Sequence, residues 1–244
     1  MEALYAFARK TDDLGDSDAP LESKRLVLRQ WRANFLAALT GDTQDSLLPA
    51  VADTKRSFGI PLQYLLEIIE GVERDLSPVR YATYADLRQY CYLVASAVGL
   101  ACVHIWGFKS DAVLKPATEC GVAFQMTNIL RDLREDARMG RVYLPDEDLE
   151  QCGVTRDDLL GTCQPERLND LLELEFHRTR EAFAQAAETA RYLSSDGQRI
   201  FPLMFDTYRS LFAALERQGS GILKRRVRLA WHVKLAIAAR SLFR

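Results

Sequence analysis

Apolar residues recur at the spacing of an α-helix along almost the whole chain. Between residues 26 and 39, for example, Leu28, Trp31 and Phe35 follow one another by three and four positions, which places them on one helical face. No stretch alternates apolar and polar residues as a half-buried strand does. Glycine and proline, which tight turns require, supply only 13 and 8 of the 244 residues. The pattern therefore predicts an all-α protein with long helices and few connections.

The predicted helices belong to a single domain that covers residues 1–244. The sequence contains no internal repeat, low-complexity segment or linker that would mark a domain boundary. Residues 140–154 are the least helical part, with one short turn near residues 147–151. The helices themselves are predicted at residues 26–39, 44–57, 63–75, 83–106, 112–138, 155–160, 165–193, 197–217 and 224–242.

The overall charge gives no reason to expect nucleic-acid binding. The chain has 32 basic and 34 acidic residues, for a formal net charge of −2, whereas nucleic-acid-binding domains are typically basic. The balance is uneven, because residues 218–244 hold seven of the basic residues and none of the acidic ones. The basic tail is therefore a feature separate from an acidic body.

Cysteines, histidines and the N-terminus predict a cytoplasmic protein without a histidine-based metal site. The five cysteines are odd in number and form no CxxC pair, which fits reduced thiols. Three histidines are too few for a histidine-rich site. No apolar stretch follows the first ten residues, so no signal peptide is predicted. Residues 92–108 are short for a membrane span, and we predict a buried core helix there.

Two clusters of acidic residues depart from an ordinary solvated helix face. In the first, Asp12 and Asp16 are four positions apart and Asp13 and Asp16 are three apart, so that on a helix their carboxylates share a face. Like charges at this spacing destabilise a helix by roughly 0.2–0.5 kcal/mol per pair. A helix end or an acidic loop tip is the alternative interpretation.

The second cluster is a stripe of oxygen-bearing side chains on one predicted helix. Its members step by three, four and four positions: Gln125, Asn128, Asp132 and Asp136. We expect Arg131 and Arg134 to point around the helix from Asp132 and to leave the stripe free. Ion pairing with these arginines is the alternative.

Together the clusters suit Mg²⁺ and a diphosphate. Carboxylate and amide oxygens without histidine or thiolate are hard ligands of the kind that Mg²⁺ prefers over Zn²⁺. Each Mg²⁺ usually takes one or two protein carboxylates and leaves its other positions to water or phosphate oxygens. Two acidic faces across a cavity lined with apolar residues would hold a diphosphate through Mg²⁺ and accept an apolar tail. Departure of diphosphate from carbon is the chemistry that this arrangement favours.

With these motifs the sequence resembles the squalene/phytoene synthase family of head-to-head trans-prenyltransferases. The segments that carry the resemblance are YAFARKTDDLGDS, GVERDL, YCYLVASAVGL, GVAFQMTNILRDLREDARMGRVYLP, FPLMFDTYRSL and RRVRL, in the family's order from residue 1 to about residue 240. The resemblance implies an all-α, single-domain helical bundle of the isoprenoid-synthase type around a central cavity. It also implies an N-terminal helix ahead of the first motif, which is apparently missing here because only eight residues precede Arg9.

The resemblance implies roles for residues at the matching positions. Tyr90 matches the tyrosine that assists proton removal, and it is a predicted catalytic residue together with Asp12, Asp16, Asp132 and Asp136. The predicted metal ligands are Asp12, Asp13, Asp16, Asn128, Asp132 and Asp136. The predicted substrate contacts are Tyr5, Arg9, Val94, Ala95, Val98, Gly99, Gln125, Asn128, Arg141, Tyr143, Tyr208, Arg225 and Arg226. An ordinary packing role remains the alternative for Tyr90, Tyr208 and the small residues.

The predicted reaction is a Mg²⁺-dependent condensation of two farnesyl or geranylgeranyl diphosphates through a cyclopropyl diphosphate. Mn²⁺ is an alternative metal. The sequence leaves the second half-reaction open, including the use of NADPH; we favour a C30, squalene-type product over a phytoene-type one. A class I terpene cyclase is a second hypothesis, although its second motif is typically N-x₃-S/T-x₃-E and Asn128 here begins N-x₃-D-x₃-D. A non-catalytic homologue of the assembly-factor kind is a third.

The basic tail has two interpretations. One is peripheral contact of an amphipathic helix with anionic lipid, which would place a cytoplasmic enzyme at a membrane surface. The other is a last helix whose arginines face diphosphate or solvent. The sequence makes no prediction of oligomeric state.

Overall fold

A computed structural model of the chain describes residues 1–77 and 80–229, which form a bundle of α-helices. The helices are α1 (Glu2–Asp16), α2 (Leu21–Ala38), α3 (Leu48–Ser57), α4 (Leu62–Asp75), α5 (Tyr84–Cys91), α6 (Ala97–Trp106), α7 (Leu114–Arg138), α8 (Asp146–Gln151), α9 (Pro165–Ala186), α10 (Thr189–Tyr192) and α11 (Ser195–Gln218). A π-helical segment, Tyr92–Ser96, joins α5 to α6. Short 3₁₀ turns lie at Asp111–Val113, Asp157–Leu160 and Gly219–Leu223. The described residues contain no β-strand, so the predicted all-α fold is confirmed.

Most predicted helices agree with the structure to within a few residues. Four differ in kind. The segment predicted at 83–106 contains the π-helical segment, the segment predicted at 155–160 is a 3₁₀ turn, the segment predicted at 165–193 divides after Ala186, and the helix predicted from residue 224 is absent from residues 224–229. The first acidic motif occupies the last turns of α1, which ends at Asp16.

The helix predicted to begin at residue 224 is absent from residues 224–229. Gly219 ends α11 at a φ of +50°, and the chain leaves the following 3₁₀ turn in non-helical conformation. Val227 is buried and Arg226 pairs with Asp132 on α7 at 2.7 Å. This ion pair and the burial of Val227 hold the segment beside α7 and stabilise it in its non-helical conformation. The remainder of the predicted basic helix lies outside the described residues.

The apolar helix that runs from α5 to α6 packs closely between α4 and α7. A methyl group added at Gly121 on α7 would lie 2.4 Å from the Cα of Ser96, and one added at Gly71 on α4 would lie 3.2 Å from the backbone of Leu93. Ser96 donates a hydrogen bond to the carbonyl of Thr118 at 2.7 Å. The π-helical segment is therefore packed closely on two sides, against Gly121, where a side chain would collide with its backbone, and against Gly71, where a side chain would be tight.

The buried face of α1 sets the direction of its acidic residues. Trp31 on α2 donates to the hydroxyl of Thr11 at 2.9 Å, and Thr11 donates to the carbonyl of Phe7 at 2.8 Å. On the side toward α4, a methyl group added at Gly15 would lie 2.5 Å from a side-chain carbon of Val72. This close approach brings the last turns of α1 against α4.

Residues 84–106 are long and apolar enough to cross a membrane by length and composition alone. In the structure, 56 % of the most apolar window is buried inside the fold. A helix in the core of a helical bundle is apolar and largely buried in the same way. The burial of this helix agrees with the prediction of a core helix.

Candidate active site

A cavity of about 340 Å³ opens between the ends of α1 and α4. Asp12 and Asp16 line it from α1, and Asp75 lines it from the last turn of α4. Arg141, in the loop that follows α7, and Lys24, on α2, complete the charged part of the wall. The cavity therefore collects three carboxylates, one guanidinium and one ammonium group, a set that suits an anion bound together with cations.

The Asp12 carboxylate is held in an unfavourable environment for its charge. Burial raises the pKa of Asp12, and the negative charge of Asp16 raises it further, while Arg9 acts in the opposite direction. A divalent cation between the two carboxylates would remove this repulsion.

Asp13 lies on the outer side of α1. Its carboxylate pairs with Arg9 at 2.9 Å, and the two side chains are 53 % and 64 % exposed. Tyr5 is 72 % exposed. The structure thus brings Asp12 and Asp16 into the cavity and leaves Asp13, Arg9 and Tyr5 at the surface.

The second acidic pair, Asp132 and Asp136, lies on successive turns of α7. Arg131 binds Asp132 through both carboxylate oxygens, at 3.0 and 2.5 Å. Our expectation that Arg131 leaves this carboxylate free is therefore wrong, because its side chain folds back onto the next residue. Arg134 does turn away, toward the carbonyl of Leu160 at 3.3 Å.

Arg141 stands between the two acidic pairs. Burial and the neighbouring Asp132 raise the pKa of Asp136 to about 6, and Arg141 partly offsets this shift. Burial raises the pKa of Asp75, and the hydrogen bond with Tyr90 and the charge of Arg141 offset part of this rise. Gly140 takes a φ of +75° at the end of α7, and the N–H of Arg141 donates to the carbonyl of Asp136 at 2.8 Å. This turn directs Arg141 back toward both pairs.

Two amide side chains extend the second acidic pair toward the start of α7. The Asn128 amide nitrogen donates to Gln125 at 3.4 Å. The carbonyl oxygen Oδ1 of Asn128 is buried and has no hydrogen-bond partner among the described residues. A buried acceptor without a partner costs about 1–3 kcal/mol, and a bound cation or donor would satisfy it.

Tyr90 sits between two other tyrosine rings. The ring centroids of Tyr81 and Tyr143 are each 5.3 Å from that of Tyr90. The Tyr90 hydroxyl faces Asp75 and the hydroxyl of Tyr143, and burial with the Asp75 charge raises the pKa of Tyr90 far above its ordinary value. Tyr90 is 4 % exposed and is absent from the lining of the 340 Å³ cavity. Its hydroxyl faces Asp75, and Asp75 in turn lines the cavity.

A second, apolar cavity of about 220 Å³ lies between α6, α7 and α11. Its lining includes Ala95, Val98, Gly99 and Tyr208. Tyr208 stacks on Phe124 with ring centroids 4.0 Å apart. A methyl group added at Gly99 would meet no atom within 4 Å, so this glycine leaves open space. Val94, in contrast, packs toward Gly71 on α4.

The apolar cavity and the second acidic pair share one face of α7. Gly121 and Phe124 line the cavity, and Asn128 and Asp132 follow them at helical spacing. One helix therefore leads from an apolar space to a pair of carboxylates in about three turns.

The segment after α11 adds positive charge to this pair. Arg226 contacts Asp132 and, at 3.1 Å, Glu135. Arg225 is exposed and lines a surface groove with Gln218. Of the two arginines predicted to face phosphate, Arg226 is the one beside the acidic residues.

A model described as squalene/phytoene synthase matches residues 1–232. The chain belongs to the squalene/phytoene synthase family. It is therefore a prenyltransferase of the all-α isoprenoid-synthase fold, and the reaction of the family is head-to-head prenyl condensation. The recognition made from the sequence motifs is confirmed.

The relatives include phytoene synthases from bacteria and plants. The 15-cis-phytoene synthase of Synechococcus elongatus is 32 % identical over 236 residues, which cover 92 % of this chain and 77 % of that protein. The chloroplastic phytoene synthase 1 of Arabidopsis thaliana is 34 % identical over 199 residues, or 79 % of this chain. The chain spans 47 % of the length of that plant protein.

Two solved structures that the chain is similar to are a squalene synthase and a dehydrosqualene synthase. Squalene synthase HpnC from Alicyclobacillus acidocaldarius is 28 % identical with a TM-score of 0.83, covering 89 % of this chain and 82 % of that one. A dehydrosqualene synthase in complex with a ligand is 26 % identical with a TM-score of 0.85, covering 99 % and 84 %.

The oxygen donors of the site come in pairs and not as a closed set of protein ligands. Among residues 1–77 and 80–229, no three His, Cys, Asp or Glu side chains converge as a protein-only metal site requires. The donors come as pairs, Asp12 with Asp16 and Asp132 with Asp136, beside the unpartnered oxygen of Asn128. Because Mg²⁺ takes few protein ligands and completes its shell with water and phosphate, this set fits Mg²⁺ bound with a diphosphate.

Asp75 and Tyr81 are site residues that the sequence did not predict. Asp75 belongs to the GVERDL segment that contributed to the resemblance. It has no carboxylate or amide three or four positions before it, so helical spacing did not mark it as part of a cluster. Tyr81 lies in the loop before α5, and only the fold brings its ring to Tyr90.

Proposed function

We propose that this chain catalyses the Mg²⁺-dependent head-to-head condensation of two prenyl diphosphates through a cyclopropyl diphosphate. The observation that carries the proposal is the order of features on α7, where an apolar cavity, the Asn128 oxygen and the Asp132–Asp136 pair follow one another. Arg141 connects this pair to the cavity of Asp12 and Asp16. A charged site next to an apolar space is what a prenyl diphosphate requires.

In this proposal Asp12 and Asp16 would hold Mg²⁺ on one side of the site, and Asp132, Asp136 and Asn128 would hold Mg²⁺ on the other. The metal would supply positive charge against the negative charge that develops on the departing diphosphate. Arg141 contributes fixed positive charge between the two pairs.

The apolar cavity would receive a prenyl tail and exclude water from the allylic cation. The double bond of the second prenyl diphosphate attacks this cation, and loss of a proton closes the cyclopropane ring. Tyr90 and the released diphosphate are the two candidate acceptors of that proton.

The relatives divide on substrate length and second half-reaction. Those above 30 % identity carry the name phytoene synthase, whereas the solved structures are a squalene synthase and a dehydrosqualene synthase. We therefore base the proposal on the shared first half-reaction, and the same experiment measures chain length and the use of NADPH.

The test is to incubate the purified chain with C15 or C20 prenyl diphosphate, with Mg²⁺, Mn²⁺ or EDTA and with or without NADPH. The products are identified by gas chromatography and mass spectrometry. We expect a C30 or C40 product that requires the divalent metal. Asp132→Asn should abolish it, whereas Asp53→Asn, on the exposed face of α3, should retain it.

The alternatives give different results in the same assay. A cyclised product from a single substrate molecule would indicate a class I terpene cyclase. Mg²⁺-dependent substrate binding without turnover would indicate a non-catalytic homologue. Full turnover by Asp132→Asn would contradict the proposed metal site.

A further inference from the structure

Asp75 connects the diphosphate cavity to the tyrosine cluster. Its carboxylate lines the cavity together with Asp12, Asp16 and Arg141. One of its oxygens, Oδ1, is buried and has no hydrogen-bond partner among the described residues. The carboxylate also faces the Tyr90 hydroxyl. One side chain thus contacts both the polar cavity and the predicted catalytic tyrosine.

The Tyr90 ring has little freedom of its own. Tyr81 and Tyr143 flank it at 5.3 Å, and the residue is 4 % exposed. Only rotation of the hydroxyl about its C–O bond remains free. Two groups lie close enough to bind the hydroxyl hydrogen, the carboxylate of Asp75 and the hydroxyl of Tyr143. An ionised carboxylate only accepts hydrogen bonds, whereas a tyrosine hydroxyl also donates. The Tyr90 hydroxyl therefore donates to the Asp75 carboxylate.

We propose that Asp75 is a positioning residue that fixes the direction of the Tyr90 hydroxyl relative to the diphosphate cavity. The inference rests on the proposed function. With its hydrogen committed to Asp75, the phenolic oxygen turns its lone pairs away from that carboxylate, and the hydrogen bond to a charged acceptor increases the negative charge on the oxygen. An oxygen prepared in this way stabilises a neighbouring allylic cation whichever group finally takes the proton.

The proposal assigns Asp75 a role distinct from that of Asp12 and Asp16. Those two carboxylates lie on α1 and, in the proposed function, would act through Mg²⁺. Asp75 lies on α4, whose position relative to Tyr90 is fixed by the close contact of Gly71 with the backbone of Leu93. We therefore expect a substitution of Asp75 to reduce the conversion of the allylic cation to condensed product more than it reduces diphosphate release.

The test compares Asp75→Asn, Tyr90→Phe and the double variant with the wild-type chain. Two quantities are measured with Mg²⁺ and prenyl diphosphate: diphosphate released, and condensed product formed. We expect Asp75→Asn to lower product formation by about 10-fold to 100-fold and to raise the ratio of diphosphate released to product formed. The double variant should lose no more product formation than Tyr90→Phe, because the two residues act as a unit. Glu73→Gln, two residues away on α4, is the matched control and should keep the wild-type ratio.

A merely structural role would lower diphosphate release and product formation equally, and an unchanged ratio would overturn the proposal. Multiplicative losses in the double variant would overturn it as well. A second double-variant cycle, on urea unfolding midpoints, measures the contact without any activity. If the wild type condenses no substrate, the proposed function fails, but the unfolding cycle still tests the contact between Asp75 and Tyr90. Additive shifts of the unfolding midpoint would refute that contact.

Discussion

Single carboxylates in this protein carry charge where the fold makes charge unfavourable. Asp12 and Asp136 are both half-buried beside a second carboxylate, and both have a raised pKa for that reason. Without a bound cation, each ionised carboxylate therefore lowers the stability of the folded chain. Residues that only stabilise a fold are rarely arranged in this way, and active sites often are.

Replacing Asp136 with asparagine should stabilise the metal-free protein at neutral pH. The pKa of Asp136 is raised to about 6 in the folded chain, so its ionised form is destabilising above that pH and its protonated form is not. Because the side chain remains half-exposed, we expect a gain of only about 1 kcal/mol at pH 7.5. Urea denaturation of both proteins in EDTA should show this gain, which should shrink toward pH 4. A gain that grows as the pH falls would contradict the assignment.

The two adjacent aspartates of the first motif should respond differently to the same substitution. Asp12→Asn removes a carboxylate from the cavity, and product formation should fall by at least about 100-fold. Asp13→Asn removes one side of an exposed ion pair, and the loss should stay within about fivefold. Steady-state turnover with saturating Mg²⁺ measures both, and equal losses would contradict the orientation of α1 described above.

Helical spacing predicted which residues share a face but not which face meets the cavity. The four-residue step from Asp12 to Asp16 correctly paired these carboxylates. The orientation of Asp13 toward solvent follows from the burial of Thr11 against Trp31, a contact between residues 20 positions apart. The pairing of Arg131 with its sequence neighbour depends on a side-chain rotamer, which spacing does not determine.

At the level of elements, the π-helical segment between α5 and α6 is the part of the fold against which both α4 and α7 pack. It lies between the Tyr90 cluster and the apolar cavity, and glycines on α4 and α7 allow both neighbouring helices to approach it. π-Helical turns inside α-helices occur frequently at functional sites. The sequence predicted one continuous helix here, because an extra residue in a turn leaves the apolar pattern almost unchanged.

Two glycine-to-alanine substitutions should separate packing from cavity shape. Gly121→Ala places a methyl group 2.4 Å from the Cα of Ser96, and we expect it to destabilise the fold by about 3 kcal/mol. Gly99→Ala meets no atom within 4 Å and should stabilise α6 slightly, by about 0.5 kcal/mol. Urea denaturation distinguishes them. Gly99→Ala should also narrow the apolar cavity and lower turnover of the longest prenyl diphosphate that the protein accepts. If turnover depends on prenyl chain length as in the wild type, the assignment of this cavity to the prenyl tail is contradicted.

For the whole molecule, the sequence predicted the fold class and the family, because helical periodicity and long motifs are read directly from residue order. It did not predict the path of residues 224–229. Their arginines and apolar residues fit an amphipathic helix, but Arg226 finds Asp132 and Val227 finds the core, and such tertiary contacts override local pattern. Asp75 was missed for a related reason, since its importance depends on Tyr90 and Arg141, which lie far from it in sequence.

The central claim is that two acidic pairs and one apolar cavity join two prenyl diphosphates head to head. The most direct measurement is the stoichiometry of a complete turnover, with substrate consumed, diphosphate released and product mass determined in the same reaction. The account predicts two substrate molecules consumed per product, a product with twice the carbon number of the substrate, and no turnover in EDTA. One substrate consumed and one diphosphate released per product of unchanged carbon number would contradict it.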